Sequence, residues 1–131
     1  MFACGASWYA VPADASSEVV TFPELTRVPG APAHVLGVFA HRGEVIPVID
    51  LSILTGGAAE DSRRAVLLRV EKGAFALTAS RVAGVSTVSG GTEPLESVGV
   101  KLHLRGPAQA ASQDVAVVEP IGLFDFLSQG G

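Results

Sequence analysis

A chain of 131 residues is long enough for one ordinary domain, or for two very small units that share a core. With 48% hydrophobic and 17% charged residues, it has the balance of a folded protein and not of a disordered one. Nine basic against thirteen acidic residues give a net charge of −4, and no window concentrates Lys and Arg, so the electrostatic footprint of a nucleic-acid binder is missing.

The N-terminus has no basic region ahead of an apolar run and does not read as a signal peptide. Cys4, the single cysteine, has no internal disulfide partner, fits a reducing cytosol, and reads as a small buried residue. Trp8 to Val11 and Ser17 to Phe22 are short apolar runs separated by a Pro/Ala/Asp/Ser stretch. Pro23, Pro29, Gly30 and Pro32 then make 23–33 a loop. The longest uncharged stretch, Val28 to His41, is too short and too interrupted by Pro and Gly to span a bilayer. Val35 to Phe39 reads as a strand, followed by the polar turn Arg42–Gly43–Glu44 and the strand Val45 to Leu51. Pro47 cannot donate to a ladder, which places that strand at an edge or gives it a bulge. Ser52 to Thr55 reads as one helical turn closed by Gly56–Gly57.

Ala65 to Val70 and Phe75 to Thr78 form a hairpin about Glu71–Lys72–Gly73. Val82 to Val88 reads as the next strand, Ser89–Gly90–Gly91 as a breaker, and Val98 to Leu104 alternates with period two. Gly106 to Gln113 is small and polar, the pattern of a loop. Asp114 to Val118 reads as the last strand and Ile121 to Leu127 as a terminal helix. Nine or ten short strands with turn signals between them indicate small barrels or a sandwich. Aromatics are scarce, so Val, Leu, Ile and Ala must build the core, with Val38, Val45, Ile46, Val48, Ile49 and Leu51 expected to be buried in the first unit and its seam and Val66, Leu68, Leu77 and Val85 in the second.

Tyr9 to Phe22 can be laid on Phe75 to Val88 without gaps, with Ala, Ala, Val and Thr coincident and the opening aromatic matched in kind. The shared order of strand, bend and strand suggests two similar β-subdomains, each too small to stand alone, packed across an apolar seam.

Catalytic chemistry is hard to find. His34, His41 and His103 have no carboxylate or cysteine at metal-ligand spacing, and phosphate-binding and nucleophile-elbow motifs are lacking. Asp50 ends an apolar strand, where it reads as the cap of the following turn ahead of any catalytic use. The expectation is a non-enzyme with no cofactor and no metal.

One segment is distinctive: Thr26 to Leu51, TRVPGAPAHVLGVFAHRGEVIPVIDL. Its Pro-containing loop, apolar strand ending Gly-Val, Arg-Gly turn and Val-Ile-Pro-Val-Ile-Asp-Leu strand resemble the signature stretch of CheW-like domains. Trp8 to Phe22, Ala65 to Val88 and Asp114 to Leu127 resemble the family's early strands, middle hairpin and final strand and helix. The resemblance implies an all-β fold of two SH3-like five-stranded β-barrels across an apolar seam, with a short C-terminal helix. Residues 1–131 would be one such domain, the first barrel about 1–58 plus 114–131 and the second about 62–113. It implies an adaptor in chemotaxis-like two-component signalling, cytoplasmic and recruited to receptor arrays, that joins the chemoreceptor cytoplasmic tip to the regulatory domain of a CheA-type histidine kinase. It also implies that Glu18, in the Glu-Val position with Val19, pairs with Arg42 of the Arg42–Gly43 turn and that these four residues mark receptor contact. A helical receptor tip calls for an apolar groove with a polar rim.

The chain departs from the pattern in places. Only Met1 to Cys4 precedes Gly5, where the family has a longer first strand. An exposed edge there would put kinase binding at risk ahead of receptor binding. The Asn-Leu often found before Arg-Gly is Ala40–His41. The alternative reading is a small-ligand or oligonucleotide-binding β-barrel, which a basic stripe with exposed aromatics would favour.

Overall fold

The segment 64–78 shows why this chain needs two cores. Ala65, Val66, Leu67 and Leu68 are all buried, and successive side chains of a strand point to opposite faces. Val66 and Leu68 enter one apolar cluster, and Ala65 and Leu67 another. Such a strand must be covered on both sides. The computed structural model describes residues 2–4, 7–11, 16–54, 63–82, 88–90, 104–110, 113–118 and 120–128.

Those residues form β1 (Phe2–Cys4), β2 (Ser7–Ala10), β3 (Ser16–Thr21), β4 (Val35–His41), β5 (Glu44–Ile49), α1 (Leu51–Leu54), β6 (Arg64–Val70), β7 (Gly73–Thr78), β8 (Arg81–Val82), β9 (Val88–Gly90), β10 (Leu104–Ala110), β11 (Gln113–Val118) and α2 (Pro120–Ser128). A five-stranded sheet runs β3-β6-β7-β5-β4, and a six-stranded sheet runs β8-β1-β2-β11-β10-β9. Neighbours are antiparallel except β5 beside β7 and β11 beside β2.

Five places correspond, β8-β1-β2-β11-β10 with β3-β6-β7-β5-β4, and β9 has no counterpart. β2 and β7, which carry the opening aromatics Tyr9 and Phe75 of the repeat, each have one parallel partner and one antiparallel partner. In both cases the next strand of the chain leaves for the edge of the other sheet. At the second crossing the change takes a single residue. The Ala79 N–H donates to the Arg64 carbonyl at 2.9 Å in one sheet, and the Ser80 N–H donates to the Ala3 carbonyl at 2.8 Å in the other.

Between the sheets lies the seam, where Phe2, Cys4, Tyr9 and Val118 meet Ile49, Leu51, Val66, Leu68, Phe75 and Leu77. The rings of Phe2 and Tyr9 stack at 5.6 Å. Helix α2 starts with Pro120, whose missing N–H costs nothing at a first helical position. It leaves the six-stranded sheet and lies on the β6–β7 hairpin, with Leu123 in the seam and Phe124 5.9 Å from Phe75. The second core sits inside the five-stranded sheet, where all five strands contribute: Val20 and Phe22 from β3 and just beyond it, Phe39, Ile46, Val48, Ala65, Leu67, Ala74 and Ala76.

Several expectations are corrected. Closed SH3-like barrels are not seen among the described residues. The five-stranded sheet curls, but among the described residues the backbone pairing that joins its edges is the isolated bridge of Thr26, beyond β3, to Val38 of β4, with N–H to carbonyl distances of 2.9 Å both ways. Pro23, Pro29 and Pro32 in the connecting segment supply no donors with which to extend it. Gly37 allows the approach: at φ +153° a Cβ there would lie 2.8 Å from both Leu25 Cβ and the Thr26 carbonyl oxygen. The division at about residue 60 is not how strands are shared either. Hairpin β6–β7 pairs with β3 and β5, while β1, β2 and β11 join β8 to β10.

β5 is not an edge, since β4 lies outside it, and the register shift falls on β4 between Val35 and Gly37. Val38 spends its N–H and carbonyl on Thr26, so Pro47 opposite it aims its missing donor away from β4. On that other side the ladder to β7 covers only Val48 and Ile49. Val45, expected in the core, is 70% exposed, because it alternates with the buried Ile46. Val38 is half-buried; Ile46, Val48, Ile49, Leu51, Val66, Leu68 and Leu77 are buried as expected, and Val85 lies outside the described residues. The expected loop at Gly106 to Gln113 is largely strand, with a register shift between Arg105 and Ala108 that accommodates Gly106–Pro107. Most of Val98 to Leu104 lies outside the described residues. Short β1 is paired on both sides, by β2 and β8, and offers no open edge.

Candidate functional site

The face rule that builds the inner core also builds a charged mouth at its end. Glu18 shares a face with Val20, His41 with Phe39, Glu44 with Ile46, and Arg69 with Leu67. Where the apolar residues stop, these four side chains project beyond them and meet water. Glu18 stands opposite Leu67 in the ladder, and His41 opposite Glu44. The curl of the sheet brings β3 against the β4–β5 turn.

That turn is a two-residue hairpin, with Arg42 at φ +50° and Gly43 at φ +83°. Positive φ at both central residues matches the right-handed twist of the flanking strands. Gly adopts it without strain, while for Arg42 the left-handed conformation is uncommon. Arg42 is thereby held at the apex, with its side chain 72% exposed.

The expected pair is present, though not as a bidentate grip: Arg42 Nη2 lies 3.7 Å from Glu18 Oε2. The nearer partner of Glu18 is His41, whose Nε2 lies 3.3 Å from Oε1. His41 also sets its ring edge-on to Phe39 at 6.0 Å, which anchors it to the core. Beneath them Arg69 Nη1 pairs with Glu44 Oε1. Ser17, Glu18, Arg42, Leu67 and Arg69 line a half-open cleft of about 270 Å³. Val19 lies on the opposite face of β3 and is 52% exposed.

The outer face of the same hairpin is apolar. Val38 stands across from Pro47 and Ala40 across from Val45, so the four side chains share one side. Ala40 and Val45 are exposed and the other two are half-buried. Sequence reasoning missed this strip, and it missed His41, Glu44 and Arg69. The signal for His41 was its place immediately before the Arg-Gly turn, but its role depends on a curl that brings residues 23 apart into contact.

A second polar cluster lies inside the seam. Asp50 accepts the Ser52 N–H at 2.8 Å, the cap read from the sequence, and accepts from the Cys4 thiol at 3.5 Å. The thiol sulfur is also 3.2 Å from Ser52 Oγ and 3.4 Å from Thr78 Oγ1. Cys4, Asp50 and Thr78 are all buried, and Ser52 is half-buried. His34 and His41 stand at opposite ends of β4, and His103 lies outside the described residues. Among the described residues no three His, Cys, Asp or Glu side chains are grouped to hold a metal ion. Burial pulls the His34 imidazole below its usual value. Nor is any helix among them long and apolar enough to cross a membrane.

Comparison with known proteins bears on what this arrangement is for. Protein FrzA of Myxococcus xanthus is 34% identical over 119 residues, which cover 82% of this chain and 71% of that protein. Chemotaxis protein CheW of Rhizobium meliloti is 35% identical over 91 residues, covering 67% of this chain and 59% of its own length. The fold matches that of the scaffolding protein TtCheW from Thermoanaerobacter tengcongensis with a TM-score of 0.72 at 21% identity, covering 90% of this chain and 85% of that one. The model of the CheW-like domain matches residues 1–119, and the chain therefore belongs to the CheW-like domain family.

Proposed function

We propose that this chain is a non-enzymatic coupling adaptor of chemotaxis-like two-component signalling. It would join the cytoplasmic tip of a chemoreceptor to the regulatory domain of a CheA-type histidine kinase, in the cytoplasm at receptor arrays. The observation that carries the reading is the β4–β5 hairpin, where a partly exposed apolar strip (Val38, Ala40, Val45, Pro47) lies beside a charged rim (Glu18, His41, Arg42). A helix presents an apolar stripe flanked by polar residues, and such a strip with such a rim is its complement. Membership in a family whose relatives here are named CheW and FrzA supports the same reading. The two sheets act as two units of one domain, tied by the strands they exchange. Glu18, Val19, Arg42 and Gly43 are the receptor-contact residues in this proposal. Kinase binding has no assigned surface, and the exposed-edge reason for expecting its loss is gone, because β1 is paired on both sides.

A ligand-binding barrel is not favoured. Among the described residues, the interior of the curled sheet is packed with Phe22, Phe39, Ile46, Val48 and Leu67. The test is titration of labelled protein, separately, with a receptor-tip helical hairpin and with a kinase regulatory domain. Saturable binding to both is expected; binding to neither would refute the adaptor reading.

A further inference from the structure

Strand β5 is attached to its two neighbours unevenly. Its pairing with β4 runs the length of the hairpin, from Val35 and Ile49 to His41 and Glu44 at the turn. The parallel ladder to β7 covers only Val48 and Ile49, and it stops where Pro47 has no N–H with which to continue it. From Pro47 back to Glu44, β5 therefore makes no ladder with β7, although this is the end of the hairpin that carries Arg42.

A side-chain contact spans that gap. Arg69 Nη1 of β6 pairs with Glu44 Oε1 of β5, and β7 lies between the two strands. Strands on either side of a third stand about 9–10 Å apart, a span that takes two extended side chains to close. Both project from the inner face, where Arg69 follows Leu67 and Glu44 precedes Ile46. Opposite Arg69 on β7 stands Ala74, buried in the inner core, whose single methyl leaves the way across open. On its other side the hairpin meets β3 through Glu18, 3.3 Å from His41 Nε2 and 3.7 Å from Arg42 Nη2. The apex is thus held by charged contacts to β3 and β6.

We propose that Arg69 is a positioning residue: through Glu44 it takes the place of the ladder that Pro47 interrupts, and it fixes where the hairpin end bearing Arg42 stands. Only the consequence for receptor binding rests on the adaptor reading. Arg69 also lines the cleft beside Arg42 and Glu18, so the rival role is direct contact with a partner. In that role its own charge would matter and its pairing with Glu44 would not.

The Arg69 and Glu44 side chains are 35% and 44% exposed, so the effect is modest and salt-sensitive. The first measurement needs no partner: NMR order parameters of the Arg42, Gly43 and Glu44 amides in the full chain. Arg69→Gln and Glu44→Gln should each lower them to a similar extent, and combining the two should lower them no further. The reversed pair, Arg69→Glu with Glu44→Arg, should bring them back. The second measurement is titration with a receptor-tip helical hairpin. Each single variant should bind about two- to fivefold more weakly, the double no worse, and the reversed pair close to wild type. Order parameters indifferent to both single variants, or a reversed pair as mobile as the singles, would overturn the proposal. Weaker binding by Arg69→Gln beside unchanged binding by Glu44→Gln would overturn it in favour of direct contact. If the order parameters respond as expected while all four variants bind like wild type, Arg69 positions the hairpin and the receptor-facing reading is what fails.

Discussion

The molecule holds two polar clusters built from similar residues, and they are put to opposite uses. In the seam, Asp50 holds Cys4 and Ser52, and Cys4 in turn meets Thr78, with Cys4, Asp50 and Thr78 buried and Ser52 half-buried. At the mouth of the curled sheet, Glu18 gathers His41 and Arg42 at its rim. Both join segments far apart in sequence. In the seam, however, a polar atom that loses its partner has no water to replace it, so the cluster is bound up with folding. At the mouth, water screens each charge and replaces any lost partner, so the cluster adds little to stability and is free to shape a surface. A carboxylate's surroundings, more than its identity, decide what its removal would cost.

The comparison can be broken first at the apolar seam around Asp50. Ile49→Ala or Leu77→Ala should lower unfolding free energy by about 2–5 kcal/mol in urea titrations, since both side chains are buried among seam residues. An unchanged midpoint for either would refute the seam. Asp50→Ala removes the cap of α1 and strands the Ser52 N–H, for an expected loss of about 1–3 kcal/mol by the same measurement.

A smaller effect is expected from His34. Burial lowers its folded-state value beneath the usual 6.5, so between the two values the unfolded chain binds more protons than the native one. Its contribution is therefore constant above about pH 6.5, and native stability declines as pH falls below that point. His34→Gln should flatten this part of the stability profile; a profile identical to wild type would show that His34 is not its source. Least of all should Glu18→Ala disturb folding, at about 0–1 kcal/mol. A loss as large as that of Asp50→Ala would erase the distinction between the clusters.

Local pattern made some of this legible. The short apolar runs of β4 to β7 and the turns Arg42–Gly43 and Glu71–Lys72 announce both hairpins, and the Asp50 cap follows from a carboxylate ahead of a helical turn. The gapless match of Tyr9 to Phe22 with Phe75 to Val88 begins on strands that hold matching places, and after each the chain crosses to the other sheet; residues 83–87 lie outside the described residues. What escaped depends on pairings remote in sequence. The parallel ladders β5–β7 and β2–β11 decide which strands share a sheet, and no nearby residue records them. Val45 was misjudged because a continuous apolar run hides which residues alternate outward. The stretch after Gly106 reads as loop from its small residues, yet pairing with β11 makes it a strand. At the mouth, resemblance brought Glu18 and Arg42 together, whereas His41, Glu44 and Arg69 become visible only once the sheet curls.

The distinction between the clusters is tested most directly by measuring receptor-tip affinity and unfolding free energy on the same samples of Arg42→Ala, Glu18→Ala and the double variant. A binding surface predicts clear losses of affinity, non-additive in the double variant because the two side chains act as a pair, with stability within about 1 kcal/mol of wild type. Unchanged or strictly additive affinities, or a loss of stability in proportion to the loss of binding, would contradict it.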